Sequence, residues 1–197
     1  MISFKPFALL LLLAVSYSIF GQDNAGNKYE TAAYKITFPA QPTLSTQKLP
    51  SSIGELLLTI LSFEPKSATD ENLAYLIMET DYPDSTVHSS KTELLDKFFR
   101  GAIDGAVTSV NGKLISESTI MVGRYPGRSI EINLGDGQAI VKMMMVLREK
   151  KMIMVQTVSG TGNYPNNAIN SFFNSFNLKK KLCRGWSTFN VIWMFLI

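Results

Sequence analysis

SKTELLDKFFRGAIDGAVTSVNG, residues 90–112, reads as one amphipathic helix. Ser90-Lys91-Thr92-Glu93 fits a capping box, in which the serine hydroxyl accepts from the third backbone N–H and the glutamate carboxylate accepts from the serine's own N–H. Leu95, Phe98, Phe99, Ala102, Ile103, Ala106, Val107 and Val110 then recur at three- and four-residue spacing. That spacing gathers them into one stripe, which must be buried. Asn111-Gly112 predicts the stop, because the left-handed conformation that ends a helix costs glycine little.

On both sides of this helix the apolar period falls to 2, the period of a strand. Upstream, residues 34–38 (YKITF) alternate aromatic or apolar with polar side chains until Pro39 and Pro42. Residues 55–63, opened by Gly54 and closed by Pro65, are more continuously apolar and read as a central strand. Residues 73–82 (LAYLIMETDY) form a third strand that Pro83 ends. Downstream comes a meander. Residues 113–122 lead to a turn expected at Tyr125-Pro126-Gly127, after which Ile130, Ile132 and Leu134 alternate with Ser129, Glu131 and Asn133. Asp136-Gly137 is a hairpin signal, and residues 138–148 and 152–159 make the next pair around Glu149-Lys150-Lys151. Past the Gly160–Pro165 loop, Ile169, Phe172, Phe173 and Phe176 mark a second amphipathic helix ending near Leu178. Three strands, a helix, four strands and a helix make an α+β domain with a mainly antiparallel sheet of about seven strands.

The two ends of the chain read differently from this middle. Lys5, the apolar run 7–15 (FALLLLLAV) and the small residues Ser16, Ser18 and Gly21 fit a secretory signal over residues 1–22. Nine apolar residues fall well short of the roughly 20 a spanning helix needs. Gln22 and Asp23 stand where a lipoprotein would carry cysteine, and Cys183 alone forms no intramolecular disulfide. Residues 29–178 form the expected domain. Residues 179–197 are a basic, then apolar tail: Lys179, Lys180 and Lys181 precede the nearly apolar run 189–197, with Trp186 and Trp193 alongside. Eleven residues from Ser187 reach only about 16 Å as a helix, so the tail does not span a bilayer of about 30 Å. It reads first as an extension unrelated to the domain, second as a peripheral membrane anchor, and otherwise as an added edge or core element.

Charge narrows the partners. The formal net charge is +3, from 19 Lys and Arg against 16 Asp and Glu, but five of the cations are Lys5, Lys179, Lys180, Lys181 and Arg184. Residues 23–178 therefore hold 14 cations against 16 anions, a net of −2. That stretch lacks the electrostatic footprint of a nucleic-acid binder.

The chemical inventory is thin. His88 is the sole histidine and sits in a connecting loop, where a triad would need a serine and a carboxylate brought to it by the fold. Glu79, Asp81 and Asp84 cluster near a strand end and offer hard oxygens to a metal such as calcium, without the spacing of a calcium loop. Arg124 and Arg128 flank the Tyr-Pro-Gly sequence and suit a phosphate or carboxylate clamp. Gly160-Thr161-Gly162 lacks the lysine of a phosphate loop, and no cofactor motif is present. Met143, Met144, Met145, Met152 and Met154 suggest soft-metal chemistry until period 2 is applied. Met143 and Met145 then face one side and Met144 the other, as core filling would have it.

Three phrases carry a family resemblance: Tyr34-Lys-Ile-Thr-Phe-Pro39, Tyr125-Pro-Gly-Arg128-Ser-Ile-Glu131 and Phe172-Phe-Asn-Ser-Phe-Asn-Leu178. With the element order they resemble PsbP-like small exported domains over residues 29–178. The resemblance implies an α/β/α sandwich around the antiparallel sheet, and non-enzymatic association as in photosystem accessory subunits, a Ran-binding protein and bacterial envelope proteins. It carries over no binding residues. The expected role is an exported, periplasmic or secreted, non-catalytic binding or accessory domain, whose partner is a protein or small ligand of the cell envelope and not nucleic acid. The alternatives are a hydrolase using His88 or the acidic cluster, and a peripheral membrane protein held through residues 179–197.

Overall fold

The computed structural model describes residues 27–51, 54–67, 70–83 and 85–180. Residues 90–112 give α1, Thr92–Ser109, whose stripe buries Leu95, Phe99 and Ile103. Removing such side chains fully from water is worth about 1.5–3 kcal/mol each. Both helix ends depart from expectation. The N-cap is Lys91, with no side-chain capping hydrogen bond, because the Ser90 hydroxyl is engaged 2.8 Å from His88 Nδ1. At the other end Asn111, not Gly112, takes the left-handed conformation at φ 48°, which asparagine tolerates better than most residues. Gly112 N closes the helix on Val107 O at 3.0 Å.

The strands are β1 Lys28–Glu30, β2 Tyr34–Thr37, β3 Thr43–Ser51, β4 Gly54–Phe63, β5 Asn72–Asp81, β6 Lys113–Val122, β7 Tyr125–Leu134, β8 Ala139–Arg148, β9 Lys151–Gly160 and β10 Asn177–Leu178, with α2 at Asn167–Ser175. Seven form an antiparallel sheet in the order β3-β4-β5-β9-β8-β7-β6, and β1-β2-β10 form a small second sheet. The α+β class and the strand number agree with the sequence, but the membership differs. Residues 34–37 belong to the small sheet, and β3 supplies the seventh strand of the large one. β3 has no continuous apolar face to betray it, and a sheet edge tolerates its Pro50. β4, read as central, lies second from the edge, and β9 holds the middle place.

The expected meander is present as β6-β7-β8-β9, with one turn displaced. Val122 pairs with Tyr125, so the bend is Gly123-Arg124, with Gly123 at φ 61°. Tyr125 and Pro126 already belong to β7, where Pro126 stands just outside the β8 ladder that begins at Gly127 and Val146. The second helix is shorter than its phenylalanine spacing predicts: α2 stops at Ser175, and Phe176 is extended at φ −73°, ψ 123°, leading into β10.

Alternation along β8 and β9 divides the interior in two. Met143, Met145, Leu147 and Met152 pack with α1. Val146, Ile153 and Val155 pack on the other face with Phe172 of α2 and with Tyr34, Ile36 and Phe38 of and beside β2. Met144 packs partly against this second core, opposite Met143 and Met145. The result is α1, the large sheet, then α2 with the small sheet, the α/β/α layering the resemblance implies. Among the described residues no helix is long and apolar enough to cross a membrane. Residues 1–22, Asp84, Cys183 and the tail beyond Lys180 lie outside the described residues.

Candidate functional site

The sheet register places polar side chains in a row across one end of the large sheet. Asp81 of β5 pairs with Lys151 of β9, and Lys151 with Arg148 of β8. Gly127 pairs with Val146, so the same register, continued by two residues, sets Tyr125 of β7 opposite Arg148. All four stand on the face that carries α2 and the small sheet.

The row has an acidic half and a basic half. Lys151 Nζ lies 2.7 Å from Asp81 Oδ2 and 3.5 Å from Glu79 Oε2, so these carboxylates share one ammonium. Glu79 also faces Tyr34, whose hydroxyl burial raises above its ordinary range, with the Glu79 charge adding to the shift. At the basic half, Arg148 Nη1 donates to Ala33 O at 2.6 Å, fastening the small sheet to the large one. Lys179 N donates to the same carbonyl at 2.8 Å.

Tyr125 follows Arg124 in the chain and lies opposite Arg148 in the continued register. Arg124 Nη2 donates to its hydroxyl at 3.3 Å, with the guanidinium carbon 5.3 Å from the ring centroid. Arg148, set opposite by the register, brings a second guanidinium charge to the same side. Burial alone raises the Tyr125 hydroxyl. The bonds and charges of Arg124 and Arg148 outweigh burial and hold it below the ordinary tyrosine range. The ring is anchored in the second core at 8% exposure, whereas Arg124 in the hairpin turn is exposed and Arg148 half-buried.

The residues singled out from sequence fall in different places. Arg124 belongs to this basic cluster. Arg128 does not: it faces α1, stacks 4.8 Å from the Phe99 ring centroid and reaches Asp96 at 2.5 Å and Glu117 at 3.7 Å. Period 2 accounts for the separation, since Tyr125 and Arg128 are an odd number of positions apart on one strand. Glu79 and Asp81 are joined by Lys151, and Asp84 lies outside the described residues. Among the described residues no three His, Cys, Asp or Glu side chains are grouped to hold a metal. His88 Nδ1 is bonded to Ser90, with the Ser90 N–H also donating to it at 3.3 Å.

Sequence reading missed Arg148 and Tyr125 as a pair. They are 23 positions apart in the chain, and only the β7–β8 register joins them. Two surface depressions lie elsewhere, one of about 400 Å³ beside Gln41, Ser62 and Lys66, the other of about 180 Å³ beside Asn111, Asn133 and Asp136.

No family model and no curated protein matches the chain. Among solved structures, the solution structure of cyanobacterial PsbP (CyanoP) from Synechocystis sp. PCC 6803 is similar, with a TM-score of 0.46 and 11% identity over 83% of this chain and 98% of that one. Identity this low leaves role to the site itself.

Proposed function

We propose that this chain is an exported, non-catalytic binding domain of the cell envelope, and that it meets its partner at the Arg124–Tyr125–Arg148 end. The observation that carries the reading is a tyrosine with its ring in the core, its hydroxyl accepting from Arg124 on the exposed turn and Arg148 set opposite it by the register. Strands β7 and β8 position Tyr125 and Arg148, and rigid elements present a recognition group with less loss of side-chain freedom than a mobile loop does. Export rests on the reading of residues 1–22. Among the described residues no carboxylate is bonded to His88, whose ring meets only Ser90, and Lys151 engages Glu79 and Asp81; both observations support binding over a triad or carboxylate hydrolase.

The test is isolation of the mature protein from its native envelope under mild crosslinking, full length beside a chain ending at Lys180. Lys180 is the better limit because Lys179 still holds Ala33 through its N–H and Glu30 through its ammonium at 2.6 Å. A specific partner retained by both chains supports the reading. Turnover of a defined substrate that is lost on His88→Ala would overturn it in favour of a hydrolase.

A further inference from the structure

The layer made by the small sheet and α2 carries a charge unlike the rest of the domain. Residues 27–40 and 163–180, which contain β1, β2, α2 and β10, hold four lysines and one carboxylate, Glu30, a net of +3. Residues 41–162 hold 12 lysines and arginines against 14 carboxylates, a net of −2. Period 2 sends the strand lysines outward. Tyr34 and Ile36 of β2 are buried in the second core, and the alternate residues Lys35 and Thr37 are exposed. In β1, Tyr29 packs on the same core while Lys28 and Glu30 are exposed on either side of it. Register sets Lys28 beside Thr37, and Lys35 between Glu30 and Asn177 of β10, so these residues share one outer face. Lys179 follows β10, and its ammonium meets Glu30 at 2.6 Å. The bond and charge of Lys179, then the charges of Lys28 and Lys35, hold Glu30 below the usual carboxylate range. Among the described residues no carboxylate lies within ion-pair distance of Lys28, Lys35 or Lys180. α2, fastened to β2 through Ser175 and Thr37, exposes Asn167, Asn170, Ser171 and Asn174, none of which opposes this field.

We propose that the outer face bearing Lys28, Lys35, Lys179 and Lys180 docks on an anionic lipid bilayer, the headgroup phosphates meeting the ammonium groups and residues 189–197 adding apolar attachment. The sequence that follows this face names the occupant. Lys179 is tied down twice, its N–H to Ala33 O at 2.8 Å and its ammonium to Glu30, so the described chain reaches Lys180 at the basic face itself. Beyond it come Lys181, Arg184, Trp186 and the run FNVIWMFLI, which contains Trp193. Basic residues beside an aromatic and apolar stretch are the combination that lies in a bilayer interface, and tryptophan favours the headgroup level. An acidic protein would satisfy the lysines and leave the apolar run unused, whereas a bilayer takes up both. Each signal is weak alone. Lysines near an anionic leaflet attract it in a salt-sensitive way that grows with their number, and nine residues are too few to span. Acting together they give the two signals that stable attachment requires.

The experiment is co-sedimentation of the mature protein with vesicles of phosphatidylcholine alone and of equal parts phosphatidylcholine and phosphatidylglycerol, at low and high sodium chloride. Binding to the anionic vesicles that high salt weakens, and weaker binding to the neutral ones, is the expected result. Lys28→Gln combined with Lys35→Gln removes two exposed ammonium groups and weakens binding to the anionic vesicles about tenfold or more, with the thermal midpoint unchanged. A chain ending at Lys180 binds more weakly than full length and keeps the same response to salt and to that double substitution. Lys97→Gln combined with Lys113→Gln removes equal charge from exposed positions on α1 and β6 and leaves binding unchanged. Equal binding to the two kinds of vesicle, full-strength binding after Lys28→Gln with Lys35→Gln, an equal loss in the control pair, or undiminished binding by the shorter chain overturns the proposal. So does capture through these lysines of an acidic protein with no binding to anionic vesicles, a result that leaves the binding-domain reading standing.

Discussion

Arg128 of β7 is joined to Asp96 of α1, Nη2 to Oδ1 at 2.5 Å, while its guanidinium lies over the ring of Phe99 one turn further along the same helix. The two partners differ sharply in setting: the Arg128 side chain is 11% exposed and that of Asp96 92%. The stabilisation therefore resides in the buried stem and the stacked guanidinium more than in the ion pair, which water screens.

Exchange of each partner separates these effects. Asp96→Asn costs less than about 1 kcal/mol, the range of exposed pairs. Arg128→Lys keeps the charge but loses the planar stack on Phe99 and the fork toward Asp96 and Glu117, and costs about 1–2 kcal/mol. Urea unfolding measures both. An equal cost for the two substitutions would assign the stability to the ion pair instead.

The large sheet separates two cores, so small deletions on opposite faces act independently. Ile103 of α1 and Ile36 of β2 are both fully buried, one in each core. Ile103→Val and Ile36→Val each cost about 0.5–1.5 kcal/mol. Their combination sums to within about 0.5 kcal/mol, as expected for sites without shared partners. A coupling above about 1 kcal/mol in the double-mutant cycle would show that the sheet transmits repacking from one face to the other.

Tyrosine ionisation sets the alkaline limit of stability. Burial raises Tyr34 and Tyr82, and burial with a hydrogen bond to Glu131 raises Tyr164. Groups raised in the folded state give stability that is complete below their unfolded value, about 10, and is lost as pH rises beyond it. Tyr125 is lowered instead, so its contribution exists above the unfolded value and disappears as pH falls through the folded one. Burial raises Tyr29 and Tyr75 as well, so the thermal midpoint falls above about pH 10, where five raised groups outweigh one lowered group. Tyr125 ionises first among the described tyrosines. Spectrophotometric titration checks the order: an early phase that survives Tyr125→Phe contradicts the assignment.

Thr157 of β9 is fully buried and its hydroxyl oxygen has no hydrogen-bond partner among the described residues. An unmade buried hydrogen bond carries the desolvation cost of the group without the return. Thr157→Val preserves shape and removes that group, so it raises stability by about 1 kcal/mol in chemical unfolding. A loss of stability would mean that an ordered water satisfies the hydroxyl.

The sequence was most legible where a period continued long enough to define a face. The α1 stripe, the Ile130 and Ile132 alternation and the opposed sides of Met143 and Met144 are each read from spacing, and each is found packed as read. Local hydrogen bonding was less legible. Ser90 has the right spacing for a cap, but His88 two residues earlier engages its hydroxyl. β3 escaped because an exposed edge strand needs no apolar face. The basic end was half visible: Arg124 was recognisable as a guanidinium at a turn, whereas its association with Arg148 depends on the register of β7 against β8. Arg128, nearer in sequence, lies on the opposite face because strand side chains alternate.

The end of α1 provides a test in which two adjacent residues exchange the roles their identities suggest. Asn111 holds the left-handed conformation at φ 48°, whereas Gly112 is not among the glycines with positive φ. Gly112 is required by space: a Cβ there would stand 2.5 Å from Ile132 Cγ2 and 2.7 Å from Asn133 O. Ile132 is fully buried and Asn133 O is backbone, so neither yields without moving β7. Gly112→Ala therefore costs about 1–3 kcal/mol, the range of overpacking. Asn111→Gly is close to neutral, because glycine adopts the same φ without strain while adding freedom to the unfolded chain. Asn111→Val costs more than Asn111→Gly, since a β-branched side chain resists positive φ. Thermal unfolding of the three variants gives the order. If Gly112→Ala is tolerated and Asn111→Gly is not, the close approach of α1 to β7 is not what fixes the glycine at this position.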